Sequence, residues 1–109
     1  MIEGLWTAEF GSSTGVFGGG VAVLQDGKVM GGDGGYYYVG EYTLTNGIFR
    51  ATIQVKPFIQ NYESVFQTMN QPFTLDLSGS VLDENLLKAQ GQAKGMPGLT
   101  FGVKLVKRA

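Results

Sequence analysis

The residue types that most often carry enzyme chemistry are missing from this sequence. It has 109 residues with no histidine and no cysteine, so it can form neither a Ser-His nor a Cys-His pair, and no Cys/His zinc cluster. The hydroxyls of Ser12, Ser13 and Thr14 lie between glycines, and their only available base would be a lysine or a carboxylate. We interpret that segment as a turn, expect no catalytic residues, and predict that the protein is not an enzyme.

The acidic residues give no pattern for a metal ion or a cofactor. Asp26, Asp33 and Glu41 lack the spacing of a calcium-binding loop. Asp26 and Asp33 stand next to glycines, and Asp-Gly pairs are ordinary turn chemistry. We therefore expect no metal site and no cofactor.

The bulk composition is that of a single globular domain over residues 1–109. Apolar residues make up 43% and charged residues 16%, with a net charge of -1, which excludes a basic surface for nucleic acid. No apolar run approaches about 18 residues, so we expect no membrane partner. The N-terminus does not resemble a secretory signal, and a chain without cysteine suits a reducing compartment. We expect a cytoplasmic protein.

The positions that would hold any binding residue lie on strands. Asp26-Gly27 and Asn46-Gly47 favour the positive φ angles of type I′ hairpin turns. Between such turns apolar and polar residues alternate with period two, most clearly over residues 48 to 56. The pattern predicts an all-β, eight-stranded antiparallel up-and-down barrel, because closure removes exposed edges. The predicted strands lie near 3 to 10, 16 to 25, 28 to 32, 36 to 45, 48 to 56, 72 to 81, 86 to 95 and 99 to 107.

One segment changes from the strand period to the helix period. Its apolar residues fall at i, i+4, i+7, i+8 and i+11, as in an amphipathic helix. We predict one short α-helix between the fifth and sixth strands, beginning near Asn61 and acting as a lid on the barrel. The apolar stripe consists of Phe58, Tyr62, Val65, Phe66 and Met69.

Large and small inward residues leave two outcomes open for the interior of an eight-stranded barrel. Their side chains either interdigitate and fill it, or leave a cavity for one small apolar ligand or lipid. The candidate ligand-binding residues of the interior and the lid are Trp6, Phe10, Tyr38, Phe49, Phe66, Met69, Phe73 and Phe101. On the outward side of the fourth strand, Tyr37 and Val39 are candidates for a homodimer interface.

Gly4-Leu5-Trp6 on the first predicted strand resembles the Gly-x-Trp signature of lipocalins, in which the tryptophan packs at the closed end against a basic side chain of the last strand. Lys107 or Arg108 would be that partner here. More of the chain resembles the GrlR family, bacterial negative regulators of type III secretion. The similarity includes Gly31-Gly32-Asp33, Tyr38 and Gly40, and the short helix before Phe73.

The GrlR resemblance implies a lipocalin-like barrel with one helix, a homodimer, an apolar cavity, and regulation by binding a transcriptional activator. Family members use an acidic tetrad in the hairpin after the fourth strand, whereas this hairpin reads Leu44-Thr45-Asn46-Gly47 and carries no acid. We expect a non-enzymatic regulatory protein that binds a protein partner, and we leave open whether it also holds an apolar ligand in the barrel. The alternative is a lipocalin-like carrier of a small hydrophobic ligand or lipid.

Overall fold

The computed structural model describes residues 2–13, 15, 17–59, 72–95, 98 and 100–109. Its eight strands form one closed barrel in which each strand pairs with its neighbours in sequence, and β1 pairs with β8. All pairs are antiparallel. The predicted all-β up-and-down barrel is confirmed. The strands are β1 (Gly4–Ser12), β2 (Phe17–Gln25), β3 (Lys28–Gly32), β4 (Tyr36–Thr45), β5 (Ile48–Pro57), β6 (Phe73–Asp83), β7 (Leu86–Ala93) and β8 (Thr100–Lys107).

Two hairpins show directly how sequence sets the turns. Asp26 and Gly27 have φ values of 53° and 76°, and Asn46 and Gly47 have 53° and 79°. Positive φ at both central residues is the type I′ turn, whose twist matches that of the flanking strands. These turns hold the β2–β3 and β4–β5 registers, with Gln25 opposite Lys28 and Thr45 opposite Ile48.

The barrel closes where the first and last strands meet. Thr7 lies opposite Val106 and Phe10 opposite Val103. The backbone N–H of Leu5 donates to the carbonyl of Ala109 at 2.8 Å. Closure pairs the backbone groups that an open sheet would leave exposed at its two edges.

The core fills the barrel because the side chains alternate between its inside and its outside. Along β5 every second residue from Phe49 to Val55 is buried, and those between them are exposed. The other strands add Trp6, Ala8 and Phe10 from β1 and the inward residues of β6 to β8. Large aromatic groups face small residues, as a tapering interior requires.

Inward glycines let the strands coil tightly. At Gly40 a Cβ atom would collide with the carbonyl of Thr52, and at Gly91 with the carbonyl of Asp76. A side chain at either position would push neighbouring strands apart. These two glycines are therefore required by packing, as expected for strands that bend around a small barrel.

The predicted lid helix, with its start at Asn61 and its residues Tyr62, Val65, Phe66 and Met69, lies outside the described residues. Of its stripe only Phe58 is described; it is 58% exposed, and its backbone N–H donates to the carbonyl of Gly35 at 3.0 Å. Across the described part of the chain, no helix has the length and apolar character needed to span a bilayer.

Candidate functional site

Trp6 closes the end of the barrel where β1 begins. Its side chain is completely buried, and its indole N–H donates to the carbonyl of Ile2 at 2.8 Å. Lys107 is its backbone neighbour across the β1–β8 pair. The Arg108 side chain takes another partner, because its Nε donates to the hydroxyl of Thr7 at 2.9 Å. The chain thus folds back across this end and covers the tryptophan.

The described residues leave a small void in the interior of the barrel. Its volume is about 60 Å³, and the surface that lines it is entirely apolar. Pockets for small organic ligands typically measure about 300–1,000 Å³, so the described interior is mostly filled by its own side chains. Of the predicted ligand-binding residues, Phe10, Tyr38 and Phe49 line this void. Trp6, Phe73 and Phe101 are buried in the core outside its lining, and Phe66 and Met69 lie outside the described residues.

A carboxylate organises the opposite end of the barrel. One oxygen of Asp33 accepts hydrogen bonds from the backbone N–H groups of Gly35 and Tyr36, both at 2.9 Å. Its other oxygen accepts a hydrogen bond from the hydroxyl of Tyr38. Asp33 therefore holds the β3–β4 turn and satisfies a tyrosine that points into the barrel, which agrees with its interpretation as a turn residue.

Tyr42 lies at the Trp6 end and is partly buried. Its ring stacks on Phe49 with centroids 5.7 Å apart. Burial raises the pKa of Tyr42, and the charges of Glu3 and Asp26 raise it further, while a hydrogen bond with the backbone of Gly27 lowers it. The net shift is upward from the ordinary value of 10.0, so the hydroxyl stays protonated at neutral pH.

The outer surface of β1 to β4 carries a continuous apolar patch, which we call the apolar face. Leu5 lies opposite Val23, Val23 opposite Met30, and Met30 opposite Val39. A second row runs from Val21 through Gly32 to Tyr37. Met30, Val39, Val21, Tyr37 and Leu5 are 39–47% exposed. Tyr37 and Val39, predicted as interface residues, lie in this face. The sequence alone did not reveal that residues of β1, β2 and β3 belong to it as well.

Charged and polar residues border the apolar face. Lys28 and Glu41 form an opposite-charge pair beside Met30 and Val39, and Gln54 and Lys56 follow on β5. An apolar centre with a polar rim is the usual anatomy of a protein–protein interface.

The outer surface of β6, β7, β8 and β1 carries polar and charged side chains between glycines, and it contains a depression, which we call the Gly102 groove. Its volume is about 850 Å³. A smaller depression of about 500 Å³ adjoins it and shares Gly11, Ser12, Gln90 and Gly102. Phe17 on β2 and Leu82 on β6 bound the groove. The other lining residues that point out of the barrel are Glu9, Gly11, Ser78, Ser80, Lys88, Gln90, Gly102 and Lys104.

Within the described ranges, no three acidic side chains come together in a way that would hold a metal ion. The hydroxyl of Ser13 lies 3.3 Å from the backbone N–H of Thr100, from which it accepts a hydrogen bond. This contact joins the first turn to β8 and agrees with a structural role for that serine.

Comparison with known proteins supports the fold and leaves the family open. No family model and no curated protein matches the chain. Among solved structures, the chain is similar to a redesigned β-barrel, with a TM-score of 0.72 and 13% sequence identity over 99% of this chain and 92% of that one. At this identity the likeness shows the closed-barrel architecture alone.

Proposed function

We propose that this chain is a non-enzymatic regulatory protein that acts by binding other proteins, in the manner of the GrlR-type regulators it resembles. In this proposal it forms a homodimer through the apolar face and regulates a protein partner such as a transcriptional activator. A reducing compartment such as the cytoplasm suits a chain without cysteine.

The proposal rests on a contrast between the interior of the barrel, which its own side chains mostly fill, and the outer surface, where adjacent apolar side chains are exposed. The void in the barrel is about 60 Å³, whereas the row from Leu5 through Val23 and Met30 to Val39 is open on the outside. Contiguous apolar surface rimmed by polar residues marks sites of protein association. A second copy would bury this face, because a two-fold dimer places the same patch on both sides of the interface.

The test of the dimer is the oligomeric state of matched variants. Sedimentation velocity should show a dimer for the wild type and a monomer for Val39→Lys, since an unpaired charge buried in the interface costs at least about 2 kcal/mol, or roughly thirtyfold in Kd. Gln54→Lys, opposite Val39 but on the polar rim, should remain a dimer. A monomeric wild type would contradict the proposal.

The second candidate function is a lipocalin-like carrier, favoured by the wholly apolar lining of the void. It needs an interior larger than the described residues leave, so we expect purified protein to contain no lipid and to bind no fluorescent fatty acid. Organic extraction followed by mass spectrometry, together with a titration of the fatty acid, measures both. A stoichiometric lipid would favour the carrier function over the regulatory one.

A further inference from the structure

We infer that the Gly102 groove binds an extended acidic peptide segment of a partner protein. This inference rests on the proposed function, in which the chain works by binding proteins, and it places the partner on residues other than those of the apolar face. Four features of the groove carry it: an open glycine floor, a pair of like charges, hydrogen-bonding side chains, and two exposed apolar residues at its sides.

Neither backbone conformation nor packing against the described residues requires a glycine at position 102. Gly102 is not among the glycines with positive φ, and a Cβ atom built there would meet nothing within 4 Å. Gly91 and Gly40 differ, because their Cβ atoms would collide with neighbouring backbone. Glycine in a strand interior is less favourable than a residue with a side chain, and it often marks a place where another backbone approaches closely. Gly102 lies opposite Gly11 on β1, so two adjacent strands expose their backbone together.

Two lysines lie side by side in the groove, near the two glycines. Lys88 on β7 is the direct cross-strand partner of Lys104 on β8, and both are exposed. Like charges opposite each other are unfavourable. Glu9 lies across from Lys104 on its other side, and Ser80 lies across from Lys88. A carboxylate placed over the two lysines would turn the repulsion into attraction.

The remaining lining fits a peptide better than a nucleic acid. Ser78 and Gln90, partners on β6 and β7, offer donors and acceptors to a peptide backbone. Phe17 is 80% exposed and Leu82 is 54% exposed. Apolar side chains of the bound peptide, next to its acidic residue, would contact these two residues at the sides of the groove. Recognition of single-stranded nucleic acid relies on a basic channel and successive aromatic platforms. This chain has a net charge of -1, and of the two phenylalanines in the described lining, Phe17 is exposed and Phe10 is buried.

The experiment is a titration of the ¹⁵N-labelled 109-residue protein with a short peptide. In this peptide glutamates alternate with serines, and one serine is replaced by leucine. We expect the largest amide shifts at Gly11, Lys88, Gln90 and Gly102, weakening as salt is added because exposed charge pairs are screened. The same peptide with glutamine in place of glutamate is the control and should cause little change. Equal shifts with both peptides, shifts centred on the apolar face, or no shifts would overturn the inference, as would equivalent shifts with inorganic phosphate alone.

Two variants separate the groove from general charge effects. Gly102→Thr should fold normally, since its side chain enters open space, and should weaken peptide binding about tenfold or more; Gly102→Ala is the milder second variant. Lys88→Gln should weaken binding, and Lys28→Gln, in the opposite-charge pair beside the apolar face, should leave it unchanged. Unaltered binding by Gly102→Thr and Lys88→Gln would overturn the inference. Val39→Lys should still bind the peptide, so loss of the dimer and loss of the groove are separate results.

Discussion

Two halves of the barrel, β1 to β4 and β6 to β8, enclose the same interior and differ in the side chains on their outer surfaces. On the side of β1 to β4, outward residues such as Val23, Met30 and Val39 are apolar and adjacent. On the side of β6 to β8, the corresponding positions hold Ser78, Lys88 and Gln90. Inside, both sides supply the same kind of buried side chain.

The difference teaches that the outer face of a closed barrel is free to vary. Inward positions are constrained by packing, because every side chain must fit against several others. Outward positions carry no such constraint, so a run of apolar residues across four strands is not a requirement of folding. Among the described strands this run lies on β1 to β4, and it is the observation behind the proposed dimer interface.

The shared interior gives the largest predicted effect. Trp6→Ala should lower the free energy of unfolding by about 3–5 kcal/mol, because it empties the closed end of the barrel. Leu5→Ala, one residue earlier and pointing outward to the apolar face, should cost about 1 kcal/mol or less. Urea denaturation of both variants measures the difference. A similar loss for the two would mean that inside and outside are not distinct at this end.

Two glycines on the polar side test the same distinction with opposite signs. Gly91→Ala should destabilise the protein by at least about 1–3 kcal/mol, since its methyl group has no room inside the barrel. Gly102→Ala should be neutral or stabilise by about 0.5–1 kcal/mol, because glycine is the less favourable residue where space is open. Thermal unfolding of each variant reports the sign. Destabilisation by Gly102→Ala would show that this glycine is structurally required.

Alkaline pH tests the Trp6 end beside the apolar face. The pKa of Tyr42 is raised in the folded state, so its contribution to stability is complete below the unfolded value of about 10. As pH rises from there through the folded pKa, the unfolded chain has lost a proton that the native state retains, and the free energy of unfolding falls. Tyr42→Phe should show a shallower decline in that range. Identical pH profiles for the variant and the wild type would contradict the burial of this hydroxyl.

The smallest effects concern two pairs of charged residues, Lys88 with Lys104 and Lys28 with Glu41. Lys88→Gln removes a like-charge neighbour of Lys104 and should raise the free energy of unfolding by about 0.2–1 kcal/mol at low salt. Lys28→Gln removes a favourable pairing with Glu41 and should lower it by a similar amount. Both changes should fade in high salt. Chemical denaturation at two salt concentrations is the measurement, and equal signs for the two variants would contradict the register.

Much of the fold was predictable from the sequence, because its signals are local. Asp26-Gly27 and Asn46-Gly47 predict their turns, and the alternation from Phe49 to Val55 predicts which side faces inward. The observed strand bounds differ from the predicted ones by at most two residues. The register shift between Val81 and Asp83 was not predicted, because it lies at the end of β6, where no further strand residues follow to show the changed alternation.

The candidate surfaces were only partly predictable, because they depend on register between strands. Tyr37 and Val39 were identified on their own strand. Their neighbours Met30 and Val23 enter the apolar face only once β2, β3 and β4 are aligned. The same holds for Gly102 and Gly11, which are ninety-one positions apart in sequence and opposite each other in the barrel. The bond between Tyr38 and Asp33 could have been anticipated from their proximity in sequence.

The β1–β8 seam has a consequence for the order of assembly. Among the described strands, the other seven pairings join neighbours in sequence, so each can form as soon as its hairpin exists. β1 can pair with β8 only after about a hundred further residues have been added. Until then the backbone groups on one edge of β1 are unpaired, close to the apolar face on β2 and β3. A newly made chain is thus most prone to aggregate with another copy just before the β1–β8 pairing forms.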